Sequence, residues 1–128
     1  MRNLDQITAE TAQCIINETI SLDKNKVEGL TTKALGVLQE NGVYAVTLFL
    51  FSRTNKEEKE SIAPVIRKFL LEVAADEIVK EPAPENQAGP ALEFITKHIS
   101  GNLDVLLLVK EIWEQTLIYA RYGAKART

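Results

Sequence analysis

The sequence has one cysteine, Cys14, and one histidine, His98, in 128 residues. A lone cysteine excludes an intrachain disulfide and a cysteine-based zinc site, and it suits a reducing cytoplasm. A lone histidine excludes the paired histidines from which helical zinc sites are commonly built. The six glycines are scattered singly, so there is neither a phosphate-cradling P-loop nor a Gly-x-Gly-x-x-Gly dinucleotide fingerprint. No apolar run approaches the roughly 20 residues of a membrane span. Met1-Arg2-Asn3-Leu4-Asp5 lacks the apolar stretch of a secretory leader. These absences lead to the expectation of a cytoplasmic protein that is not an enzyme and takes neither cofactor nor metal.

Hydrophobic residues make up 45% of the chain, enough for one domain with a real core and too few residues for two. The formal charge of -3 hides an uneven layout: residues 69–120 carry nine acids against three bases, and residues 121–128 carry three bases and no acid. Two surfaces with different partners would have this asymmetry, as would a solvated acidic face next to a basic end. The division expected is a helical bundle over residues 1–122 and a basic C-terminal tail over residues 123–128.

Helical spacing dominates the chain. Leu4, Ile7, Thr11, Cys14, Ile15 and Thr19 recur at threes and fours over residues 3–20, and Asn3 with Gln6 resembles a capping box. On this spacing Cys14 is expected to be a small buried hydrophobe. Val27, Leu30, Ala34, Leu35 and Leu38 define a second helix over residues 27–39, which Asn41-Gly42 closes. Residues 43–51 are apolar nearly all round, which fits a strand or a buried helix; with no strand elsewhere to pair with, a central buried helix is expected. Thr54 and Glu57 suggest a further capping box, and Pro64 a break or kink near residues 61–64 before a helix that runs to about Lys80. The breaker-rich residues 81–90 read as a loop. A short helix containing Leu92, Phe94, Ile95 and Ile99 follows, and then a last helix capped by Asn102 and anchored by Trp113. The fold class expected is all-α: a single-domain bundle of six or seven helices with a central buried helix.

Few residues suggest chemistry. His98 falls near a helix C-terminus, where the dipole favours a cation. Glu72 and Asp76 share a helix face, a spacing that serves metal or acid/base work but is ordinary on a wet face. The bases form two clusters: Arg53, Lys56, Lys59, Arg67 and Lys68 around Pro64, and Arg121, Lys125 and Arg127 at the end of the chain. Either cluster has the charge and reach to neutralise phosphates without reading bases. Glu57, Glu58 and Glu60 dilute the first, and Tyr119 and Tyr122 add stacking surfaces beside the second.

Asn3-Leu4-Asp5-Gln6 followed by Ala9, Glu40-Asn41-Gly42-Val43 leading into residues 45–50, and Trp113 through Ala120-Arg121-Tyr122-Gly123-Ala124-Lys125-Ala126 resemble, in this order, segments of the small α-helical subunit of the type III-B (Cmr-type) CRISPR effector complex. The resemblance implies a non-catalytic scaffold subunit of an antiviral ribonucleoprotein. Such subunits stack in several copies along the complex and help hold target RNA beside the subunits that carry the guide, while cleavage belongs to others. Its implied partners are other subunits, copies of itself, and guide and target RNA through the phosphate backbone. The alternative is a helical adaptor that mediates protein assembly without touching nucleic acid.

Overall fold

The computed structural model describes residues 3–127, and every regular element among them is helical. Six α-helices form the bundle: α1 (Leu4–Glu18), α2 (Lys24–Asn41), α3 (Val43–Phe51), α4 (Ala63–Val73), α5 (Ala88–His98) and α6 (Leu103–Ala126). π-helical segments at Glu58–Ile62 and Ala74–Val79 lead into and out of α4. The longest helix, α6, is the axis of the packing, with α1 and α2 laid along it.

Local chemistry sets the helix starts. The Asn3 side chain accepts from the Gln6 N–H at 2.8 Å, Asp23 caps α2 through the N–H groups of Asn25 and Lys26, and Asn102 accepts from the Val105 N–H at 3.2 Å. The cap beyond α3 is one residue later than expected: Asn55, not Thr54, accepts from the Glu58 N–H at 3.2 Å. Gly42 joins α2 to α3 with φ 96° and ψ -172°, a region open to glycine and strained for other residues. Its N–H closes on the Leu38 carbonyl while its own carbonyl accepts from the Val46 N–H, so one residue ends a helix and starts the next.

Pro64 does not break the chain. A proline inside a helix removes the donor for the carbonyl four residues back. Here the turn before it widens to π geometry, with the Ala63 N–H reaching the Glu58 carbonyl, and the path stays helical from Glu58 to Val79. Lys80, left-handed at φ 63°, closes that path by donating its N–H to the Ala75 carbonyl. The loop that follows is shorter than expected, because Ala88, Gly89 and Pro90 already form the first turn of α5.

The expected apolar face of α2 is buried in full. Helix α1 is rotated from its expected stripe: Ile7, Thr8, Ala12 and Ile15 are buried, and Cys14 is exposed rather than part of the core. Helix α3 buries Val43, Val46, Thr47 and Leu50 but leaves Tyr44 and Leu48 more than 40% exposed. It is therefore one-sided, not enclosed. Trp113, 1% exposed, fills the centre, and its indole N–H donates to the Leu70 carbonyl of α4 at 2.8 Å. Trp113→Phe removes that donor from a dry site and is expected to cost about 1–3 kcal/mol, whereas Trp113→Ala adds a cavity and costs about 3–5 kcal/mol. Urea unfolding followed by circular dichroism measures both.

Candidate nucleic-acid interface

The eight bases expected to face phosphate are in different physical situations. Arg67 is built into the fold. Its Nη1 donates to the Leu50 carbonyl at the end of α3 (3.0 Å), its Nε donates to Asn86 Oδ1 (2.8 Å), and its guanidinium lies 4.0 Å from the Phe51 ring centroid. Asn86 in turn donates to the Pro64 carbonyl at 2.9 Å, which straps the 80–87 loop against α4. Burial draws the Arg67 pKa below the ordinary guanidinium value. A side chain tied on three sides in this way is a clamp.

Arg127 is also committed to structure. Its guanidinium donates to the carbonyls of Thr19 (3.2 Å), Ile20 (2.8 Å) and Leu22 (2.8 Å), in the turn that follows α1. Lys24 Nζ donates to the Arg127 carbonyl at 2.8 Å. Residues 123–126, assigned from sequence to a tail, are the last turn of α6. Gly123 lets that turn approach α1: a Cβ placed there would lie 3.0 Å from Ile16 Cγ1. Arg53 is held partly buried by Glu58 at 3.1 Å and by the Phe49 ring 4.5 Å away.

The other five are presented to solvent in whole or in part. Lys68 has a loose partner in Glu18 at 3.5 Å, an exposed pair of little energetic weight. Lys56, Lys59 and Lys125 are exposed, and Arg121 is half-exposed with its guanidinium 4.9 Å from the Tyr122 ring centroid. The fold gathers the two clusters at one end of the bundle. The 18–26 turn lies between them, gripped by Arg127 on one side and joined to Glu57 on the other through the Asp23 N–H and the Lys26 ion pair at 2.9 Å. That turn adds Lys24 and Lys26, which the sequence reading left out. They stand in the first turn of α2, apart in sequence from both clusters, and only the packing of α6 and residues 55–61 around the turn makes them part of a basic end.

The same end carries acids. The Lys26 ammonium, through its hydrogen bond, and then the Asp23 N–H hold the Glu57 carboxyl below its ordinary pKa. Elsewhere, Glu72 and Asp76 line an open cleft with Glu10, Cys14, Phe69 and Glu77, and among the described residues no group of three or more potential ligands is placed to hold a metal ion. His98 ends α5 and leans on Phe94 at 5.1 Å between centroids. Helices α1 and α6 also flank a groove of about 330 Å³, at whose rim the Tyr119 hydroxyl donates to Asp5.

Two measurements check this division of the bases. Arg67→Ala and Arg127→Ala are expected to lower stability by about 1–3 kcal/mol, because carbonyls bonded to a charged donor lose it; Lys56→Ala and Lys125→Ala stay within about 0.5 kcal/mol of the native chain, as exposed sites do. In an NMR titration Glu57 is expected to ionise below the usual glutamate range and to return to it in Lys26→Ala. The stability this pair contributes is complete above the ordinary carboxyl pKa and is lost as pH falls through the lowered one.

Compared with protein-family models, with characterised proteins and with solved structures, the chain matches none.

Proposed function

We propose that the chain is a non-catalytic small subunit of a Cmr-type ribonucleoprotein complex. In this role it packs against neighbouring protein subunits and holds RNA by sequence-independent contacts to the phosphate backbone. The observation that carries the reading is the basic end, where Lys56, Lys59, Arg121 and Lys125 remain presented to solvent around the 18–26 turn. Exposed surface lysines and an arginine beside the exposed Tyr122 suit a phosphate chain with a base stacked on a ring, and they contain no fixed geometry for reading a base edge. The resemblance of the N-terminal, central and C-terminal segments to the Cmr small subunit supplies the name of the complex. In this role the chain holds RNA, and cleavage is left to other subunits.

A helical adaptor without nucleic-acid contact is the second reading. It is favoured by Leu103 and Leu107, which stand 67% and 55% exposed at the start of α6. RNA affinity measured against salt separates the two. On the first reading, log affinity for single-stranded RNA falls linearly with log salt, and each lost phosphate contact reduces the slope by about 0.7. Lys56→Glu with Lys125→Glu therefore flattens the slope by about 1.4 and weakens binding to all sequences alike. RNA affinity that is absent at low salt, or that is insensitive to these changes, leaves the adaptor.

A further inference from the structure

The outer face of α6, away from Trp113, is open to solvent at Glu111 and Lys125 and partly covered at Glu114, Ile118 and Arg121, and its charges are segregated along the helix. Glu111, Glu114, Ile118, Arg121 and Lys125 follow one another at spacings of three and four, so they form one stripe. None is buried. The N-terminal half of the stripe is acidic, the C-terminal half is basic, and Ile118 stands between them. The helix dipole favours acid in the first turn and base in the last, but it fades within a turn. It accounts for Asp104 and Lys125; Glu111, Glu114 and Arg121 lie further in.

We propose that this stripe docks a second copy of the chain, antiparallel, about a twofold axis through Ile118. Reversing the helix about that residue sets Glu111 opposite the partner's Lys125 and Glu114 within one residue, about 1.5 Å along the axis, of the partner's Arg121, and the twofold repeats both pairs. A parallel arrangement would set like charges together. Among the described residues Glu111 and Lys125 make no ion pair within the chain, and Glu114 has only the weak pair with Lys110 at 3.8 Å. Leu107 lies about 17 Å along the helix from Ile118 and Ala126 about 12 Å the other way, so the exposed Leu107 overhangs the partner's helix end by roughly 5 Å. A seam of about four turns falls short of the ~1,600 Å² of a stable complex, so the dimer is weak and salt-sensitive. It also covers Arg121 and Lys125.

Sedimentation equilibrium over concentration and salt tests the arrangement. The native chain is expected to move from monomer toward dimer as concentration rises at low salt, and back as salt is added. Glu111→Lys with Glu114→Lys makes the stripe wholly basic, and Arg121→Glu with Lys125→Glu makes it wholly acidic. Each variant alone should dimerise at least tenfold more weakly, and their equimolar mixture should associate at least as tightly as the native chain. Circular dichroism confirms that both fold, as exposed substitutions allow. In a Cys14→Ser background, Ile118→Cys on the axis should oxidise to a covalent dimer, while a cysteine at Lys33 should not. A native chain that stays monomeric to millimolar concentration at low salt, or a mixture that fails to associate, overturns the proposal. RNA binding is read separately: the wholly basic variant keeps or gains RNA affinity while losing self-association, so failure of either idea leaves the other visible.

Discussion

The bond from the Trp113 indole to the Leu70 carbonyl organises this fold. A buried indole N–H must find an acceptor, and a carbonyl inside a helix is available only where the ladder can share it. The Leu70 carbonyl accepts both from Trp113 and from the Ala74 N–H, and from Ala74 onward the chain takes π geometry. The indole thus meets α4 at the place where its ladder changes register. Leu70 and Leu71 pack beside Trp113 together with Thr47 and Leu50 of α3, so one side chain brings α3, α4 and α6 to a common point.

Arg67 extends that point toward the surface. It borders the same packed group and carries the connection outward to the Leu50 carbonyl, the Phe51 ring and Asn86. The 80–87 loop, which has no helix of its own, is held through a partly buried guanidinium whose planar fork serves two acceptors at once. Arg127 does similar work at the far end of the bundle, where it donates to three carbonyls of the turn that follows α1. In both places an arginine ties turns and loops to the helices through backbone carbonyls, so the charge read from sequence has a structural use here.

Periodicity made the helices legible, because burial of one face at 3.6-residue spacing is the force that forms them: the apolar face of α2 and the caps at Asn3 and Asn102 could be read directly. Features decided by tertiary contact could not be read. Cys14 and Ile15 are neighbours in one apolar stretch, and only the position of α4 and α6 determines that Ile15 is buried and Cys14 exposed. Gly123 reads as a helix end, yet its missing side chain serves close approach to Ile16. The bases were legible as charge but not as role. Nothing near Arg67 in sequence announces Asn86, 19 residues away, and nothing near Arg127 announces carbonyls more than 100 residues earlier.

Helix α6 exceeds what the bundle requires of it. At 24 residues it spans about 36 Å, against about 27 Å for the 18 residues of α2. The excess lies at its start, where Val105, Leu106 and Leu108 pack partly buried against the core but Leu103 and Leu107 stand exposed. Apolar surface left in water forgoes about 25 cal/mol for each Å² not covered, and the chain's own stability gains nothing from leucine at 103 and 107. Polar residues there would form the helix as well, since Asn102 already caps it. Two exposed leucines one turn apart are the apolar surface that the adaptor reading of this chain would use. The charge order along the same face, acid toward that overhang and base toward Arg127, is what would give the proposed twofold contact its direction.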